Sequence, residues 1–188
     1  MNQPASDKMP VMKLTGNFFL VGLMGAGKTT VGKILAKHLH KSFIDSDHEI
    51  EHRTGVNIPL IFELEGEAGF RRRETATIEE LVKQQDIVLA TGGGAVLSQQ
   101  NRENLRRNGT VIYLCAQPEE LYHRTKGDKN RPLLQTDNPH EKLQKLFAER
   151  DPLYREVADI VVDTGDQSVN TIVSYIETQL NNYANAIR

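Results

Sequence analysis

Apolar positions along the chain fall into five short runs: Phe18 to Val21, Ser42 to Ile44, Ile87 to Ala90, Thr110 to Leu114 and Asp159 to Val162. Runs that stay apolar, rather than alternating with polar residues, predict strands covered on both faces, as in a parallel sheet. Helical periodicity fills the spaces between them. From Lys28 onward Val31, Ile34, Leu35 and Leu39 share one face, with Lys33 and Lys37 opposite. Glu74 to Gln84 turns Ile78, Leu81 and Val82 inward. Ser98 predicts the N-cap of a short helix through Arg107. Pro118 suits a first helical position, followed by Glu119 and Glu120 at the positive end of the helix dipole. Val169, Ile172, Val173, Ile176 and Leu180 predict a closing amphipathic helix from Val169 to Tyr183. Strand–helix alternation of this kind predicts a doubly wound α/β fold, with ligands at the carboxyl ends of the strands.

Two stretches break the rhythm. Asp45 to Arg73 is charged and interrupted by Gly55, Pro59, Gly66 and Gly69. Lys126 to His140 is rich in Gly, Asp, Asn and Pro. Irregular insertions of this length in a compact domain predict binding loops or lids. The reading is therefore one domain over residues 17–184, with a substrate-binding region at about 45–75 and a lid at about 126–140. A flexible extension (1–16) and a short tail (185–188) flank it.

At 188 residues the chain is long enough for a sizeable core. Its net charge of −2 predicts no broad attraction to nucleic acid or an anionic membrane. No apolar stretch approaches the ~18 residues of a membrane span, and Met9 to Met12 is too short for a signal-peptide core. The single cysteine, Cys115, follows an apolar run, as expected of a buried thiol in a reducing, cytoplasmic setting.

The first strand leads into Gly22-Leu-Met-Gly-Ala-Gly-Lys-Thr-Thr30, which satisfies the phosphate-loop pattern Gly-x4-Gly-Lys-Thr in the strand–loop–helix context that pattern requires. Backbone N–H groups from Gly25, Ala26, Gly27, Lys28, Thr29 and Thr30 can cradle the phosphates of ATP at a helix N-terminus. Lys28 can reach the β- and γ-phosphates, and the Thr29 hydroxyl can ligate Mg²⁺. Asp45-Ser46-Asp47 follows the second strand, and alternation would place both carboxylates on one side of an extended chain. One can serve the Mg²⁺ shell and the other can orient or deprotonate an acceptor hydroxyl; alternatively Asp47 merely caps a helix. Arg71 can clamp a substrate carboxylate, steadied by Glu74, unless the run is only a solvated helix face. Thr91-Gly92-Gly93-Gly94 after the third strand allows close backbone approach to a ligand. Arg131, in the predicted lid, can swing onto a transferring phosphate, while Arg124 and Arg150 flank the lid. His48-Glu49-Ile50-Glu51-His52 also satisfies a zinc-hydrolase pattern. No third ligand stands out, so a solvated helix face is the expected reading.

Taken together, these segments resemble bacterial shikimate kinase. They are joined by Phe43-Ile-Asp-Ser-Asp47, Ile61-Phe62, Glu65-Gly66-Glu67, Phe70-Arg71-x-x-Glu74, Ala90-Thr-Gly-Gly-Gly94, Arg131-Pro-Leu-Leu134 and Arg150-x-Pro-Leu-Tyr154. The likeness covers about Asn17 to Leu180. It implies ATP-dependent phosphorylation of the 3-hydroxyl of shikimate in aromatic amino-acid biosynthesis, with one Mg²⁺ ion, by a monomer. It also implies a P-loop kinase fold with strand order 2-3-1-4-5. Asp47 is then the base; Arg71 and Arg150 grip the carboxylate; Gly92, Gly93 and Gly94 approach the ring; Phe62 and Phe70 line its apolar side. Lys28 and Arg131 stabilise the moving phosphoryl group, and Thr29 holds Mg²⁺ with indirect support from Asp45. Arg124 lies against the adenine, and Gln167 is a further nucleotide contact. Gluconate kinase and other small polyol or sugar-acid kinases share the phosphate loop and form the alternative. The chain departs from the family pattern in having Thr29 where Ser is commoner, which keeps the hydroxyl, and Pro59 near a helix start.

Overall fold

The computed structural model describes residues 14–127 and 131–186. Residues 1–13, 128–130 and 187–188 lie outside the described residues. They take in most of the expected extension, three residues near the start of the expected lid and the end of the expected tail.

The five apolar runs form five parallel strands: β1 (Phe18–Val21), β2 (Ser42–Asp45), β3 (Ile87–Ala90), β4 (Thr110–Cys115) and β5 (Ile160–Asp163). They associate in the order β2-β3-β1-β4-β5. Register places Phe19 between Leu89 of β3 and Val111 of β4. β1 and β3 are buried along their whole length, which explains their unbroken apolar sequence. β5 alternates buried and exposed positions, because it lies at the sheet edge.

Helices α1 (Lys28–His38), α2 (Ser46–Thr54), α3 (Ile58–Leu81), α4 (Gln99–Asn108), α5 (Pro118–Thr125), α6 (Pro139–Val157) and α7 (Val169–Ala186) connect the strands. The expected caps form where the sequence places them. Ser98 accepts from the Asn101 N–H at 3.3 Å, and Glu120 reaches back to the Gln117 N–H at 2.8 Å. The main core joins both sheet faces to α1, α3, α5, α6 and α7 through residues such as Leu35, Ile78, Leu121, Leu143 and Ile176. A satellite cluster of Ile50, Ile61 and Phe70 sits under α2 and the start of α3.

Two expectations need correction. Asp45 to Arg73 is not irregular: it contains α2 and the first two-thirds of α3. The glycines that read as breakers do other work. Gly55 ends α2 in the left-handed conformation, φ 72°. Gly66 bends α3 internally at φ 68°, ψ 179°, a region essentially closed to residues with a Cβ. Pro59 lies in the first turn of α3, where its missing N–H costs nothing, and Asn57 caps the Leu60 N–H at 3.0 Å. Second, the segment after the lid is a long helix, α6, that begins at Pro139, so His140 lies inside it. Its inward row is Leu143, Leu146, Arg150, Tyr154 and Val157. The buried Arg150 interrupts that stripe, and so the helix escaped the hydrophobic pattern.

Candidate functional site

The carboxyl ends of β1, β2 and β3 are tied together by short bonds. After β3, Thr91 gives both its N–H and its hydroxyl to Leu20 O at 3.1 Å. The next N–H, of Gly92, is donated to the buried Ser46 hydroxyl at 3.0 Å. Phosphate loop, Asp-x-Asp turn and triple glycine therefore converge, as the βα connections of a parallel sheet require.

Around the phosphate loop, Lys28 is the first residue of α1 and is buried. Its ammonium donates to Gly22 O at 2.6 Å and Leu23 O at 2.9 Å. Burial pushes its pKa down to about 8; Asp47 and Asp45 oppose that, while Arg131 and Arg150 reinforce it. Thr29 donates to Asp45 Oδ2 at 2.7 Å. The other oxygen of Asp45 accepts the Asp47 N–H at 3.1 Å and so caps α2. The two carboxylates are therefore not on one extended strand: β2 stops at Asp45 and a helix begins. Asp45 is the cap, not Asp47, and this leaves the Asp47 carboxylate for the cleft.

Asp47 meets Glu74 across Gly92. A Cβ at Gly92 would lie 2.7 Å from Asp47 Oδ1 and collide with Glu74 Oε1. Both oxygens are buried and accept no hydrogen bond among the described residues. Burial pushes the Asp47 carboxyl up to about 7, and the charges of Glu74 and Asp45 add to this against Lys28 and Arg71. Burial also raises the Glu74 pKa, despite the adjacent Arg71.

Arg71 donates to Glu74 Oε2 at 2.7 Å and Glu67 Oε1 at 2.9 Å, and stacks 5.2 Å from the Phe70 ring centroid. It is held in place rather than loosely solvated. Arg150 is buried at 3% exposure and donates to Gly93 O at 3.1 Å; its Nε has no partner among the described residues. The Tyr154 hydroxyl donates to the same carbonyl, and its ring stacks on Tyr113 at 4.8 Å. Arg124 bridges the phosphate loop and the turn after β5 through Gly25 O at 3.5 Å, Thr164 Oγ1 at 3.2 Å and Gly165 O.

Two clefts result. One, about 510 Å³ counting the space open to solvent at its mouth, is lined by Arg71, Arg150, Glu74, Phe62, Phe70 and the Gly92–Gly94 backbone. The other, about 920 Å³, is lined by Gly25, Gly27, Lys28, Thr29, Thr30, Asp45 and Arg124. Met24, Asp47, Gly93 and Arg131 line both. Ala26 is buried beneath the loop. Gln167 donates to Asp163 O at 3.0 Å and lines neither cleft. Met24, Ile58, Pro132 and Leu133 also line the first cleft, and Tyr154 holds a carbonyl there; no motif role in the sequence covers them, although Pro132, Leu133 and Tyr154 stand inside its motifs. The sequence reading saw Glu74 only as a support for Arg71. Periodicity in α6 signals Tyr154, and the motif around Arg131 signals Pro132 and Leu133; nothing local signals Met24 or Ile58. His48 and His52 are exposed, and Glu49 is paired with Arg53 at 2.7 Å. Among the described residues no group of three or more His, Cys, Asp or Glu side chains is arranged to hold a metal.

Comparison with known proteins bears on this geometry. The family model for shikimate kinase matches residues 24–181. A shikimate kinase of Thiobacillus denitrificans is 66% identical over 158 residues, covering 84% of this chain and 86% of that protein. One of Chromobacterium violaceum is 60% identical over 173 residues, covering 92% and 94%. Among solved structures, shikimate kinase from Acinetobacter baumannii in complex with shikimate superimposes with a TM-score of 0.88 at 51% identity, covering 90% of this chain and 96% of that one. A gluconokinase from Sinorhizobium meliloti reaches a TM-score of 0.58 at 18% identity, a likeness of fold alone.

Proposed function

The chain belongs to the shikimate kinase family, and on that premise we propose how its joined clefts move the terminal phosphate of ATP onto the 3-hydroxyl of shikimate, giving shikimate 3-phosphate and ADP. The enzyme is a phosphotransferase with an alcohol acceptor, serving aromatic amino-acid biosynthesis. The observation that carries the mechanism is the set of residues common to both clefts, Met24, Asp47, Gly93 and Arg131. A phosphate in one cleft and a hydroxyl in the other can meet only there.

ATP occupies the phosphate-loop cleft. The N–H groups from Gly25 to Thr30 hold its phosphates, and Arg124 lies against the adenine. The Thr29 hydroxyl and Asp45 carboxylate offer oxygen only, the donor type that Mg²⁺ prefers, and their 2.7 Å bond puts both at the phosphate end of that cleft. Thr29 would hold the ion directly and Asp45 through the outer shell. When bound, Mg²⁺ neutralises charge on the β- and γ-phosphate oxygens.

Shikimate occupies the other cleft. Arg71 and Arg150 take its carboxylate in charge-assisted bonds. Phe62 and Phe70, with ring centroids 4.9 Å apart, cover one side of the ring, and the Gly92–Gly94 backbone approaches the other. Asp47 orients the 3-hydroxyl. In the transfer that hydroxyl oxygen bonds to the γ-phosphorus as the bond from phosphorus to the β,γ-bridging oxygen breaks. The hydroxyl proton passes to Asp47, while Lys28 and Arg131 neutralise the charge that builds on the phosphoryl oxygens. Closure of the loop that carries Arg131, ahead of α6, would exclude water from the transfer.

Two consequences follow from the site's electrostatics and its close contacts. Asp47 must be ionised to accept the proton, and its pKa in the free enzyme is pushed up to about 7. A pH profile of kcat/KM for shikimate is expected to fall about tenfold per unit below that value, and to lose this limb in Asp47→Asn. Gly94 leaves no room beside Arg71: a Cβ there would fall on the guanidinium carbon and both terminal nitrogens. Gly94→Ala is expected to raise the shikimate KM by about tenfold, roughly one charge-assisted bond, with the ATP KM unchanged.

A coupled assay of ADP release tests the reading. Release should depend on shikimate; release driven faster by gluconate would favour the alternative acceptor. No helix among the described residues is long and apolar enough to cross a membrane, and Cys115 is a buried free thiol, both compatible with a cytoplasmic setting. The exposed large apolar side chains among the described residues, Leu64, Val161 and Tyr175, lie on three different elements, which favours action as a monomer.

A further inference from the structure

The bend in α3 is bridged by an ion pair between residues on its two sides. Arg73 donates Nη2 to Glu65 Oε1 at 2.6 Å and Nε to Glu65 Oε2 at 2.9 Å, a bidentate contact between residues eight apart. Eight residues of straight α-helix span about 12 Å along the axis, a gap that would require both side chains to be nearly fully extended. Gly66, at φ 68°, ψ 179°, bends the chain between the two residues. Gly69 completes the corner: a Cβ there would collide with Glu65 Cβ and lie 3.0 Å from Glu65 Oε2. On one side of the corner lies the helix that carries Arg71 and Glu74. On the other lies an arm, residues 58–65, that carries Ile58 and Phe62 to the wall of the first cleft. The arm's inner face packs only in the satellite cluster with Ile50 and Phe70, apart from the main core, and Leu64 on it is 72% exposed. Its angle is thus set by few apolar contacts.

We propose that Glu65 and Arg73 are positioning residues for the acceptor: their pair locks the bend at Gly66 and holds the Ile58–Phe62 wall at the distance that fits the ring. This rests on the reading of the first cleft as the shikimate site. Neither residue lines either cleft, so the effect passes through the arm. Both side chains are substantially exposed, at 44% for Arg73 and 34% for Glu65, and such pairs add little to global stability. A purely structural role would therefore leave function untouched, whereas a lock on the arm acts selectively on the acceptor.

The test compares wild type with Glu65→Gln, Arg73→Gln and the charge-exchanged double variant Glu65→Arg/Arg73→Glu. Each single variant should raise the shikimate KM by about two- to fivefold, the range open to one exposed ion pair, with the ATP KM and melting temperature unchanged. The exchanged pair should recover part of the loss. Amide hydrogen exchange, which needs no substrate, should quicken over residues 58–65 in the single variants and stay constant in the phosphate loop and α1. An unchanged shikimate KM, a parallel rise in the ATP KM, or unchanged exchange in the arm would overturn the proposal. Quickened exchange together with a wild type inert towards shikimate would leave the lock standing and overturn its service to this acceptor.

Discussion

Replacing Asp47 with Asn is expected to lower kcat by about 10²–10⁴-fold, the usual contribution of a positioned general base, with the ATP KM changed less than about twofold. The amide keeps the shape and can still orient a hydroxyl, but it cannot take the proton. If orientation were the whole role, the loss would be small; an equal loss in ATP affinity would instead mean that Asp47 supports the nucleotide. The same substitution should stabilise the fold at alkaline pH. The folded-state pKa of Asp47 is raised, so its contribution to stability is fully present below the unfolded carboxylate value and is lost as pH rises through about 7. Above that pH the protein holds a buried carboxylate beside Glu74 and Asp45. Asparagine has no such charge, so the variant should melt at a higher temperature than wild type at pH 8 and show a smaller advantage at pH 5. Denaturation scans at the two values check the sign.

Lys28→Met should be nearly as damaging for a different reason. The ammonium is buried, and in the free enzyme it is satisfied by the carbonyls of Gly22 and Leu23. Methionine fills similar space without charge. The expected result is a fall in kcat/KM of about 10²–10³-fold, comparable to losing a preorganised donor at a developing negative charge. Wild type should show a related limb. Burial lowers the Lys28 pKa to about 8, so the free enzyme loses this charge as pH rises through that value, and the ATP KM should climb with it. A titration of ATP affinity between pH 7 and 9 checks this, and Lys28→Met should show no such limb.

Much of this protein was legible because its physics is local. β1 and β3 stay apolar because both faces are covered, and a run such as Phe18 to Val21 says so directly. The phosphate loop is legible because phosphate binding by backbone requires glycines at fixed spacing ahead of a helix. The α2–α3 region was not, because Gly66 and Gly69 signal an interruption in any sequence-based reading. Here one is a bend inside a helix and the other a point of close packing against Glu65. Helix α6 hid behind Arg150, a buried charge placed where the apolar stripe should continue. The approach of Glu74 to Asp47 was invisible for a different reason. It depends on Gly92 from a third segment leaving room between them, and no single stretch of chain records a meeting of three.

A crystal structure of the enzyme with ADP and shikimate addresses the joined-cleft mechanism most directly. The shikimate carboxylate should lie within hydrogen-bond distance, about 3 Å, of both Arg71 and Arg150, with the 3-hydroxyl equally close to Asp47 and turned towards the β-phosphate. Shikimate bound with its carboxylate away from those arginines, or with another hydroxyl presented at Asp47, would contradict it.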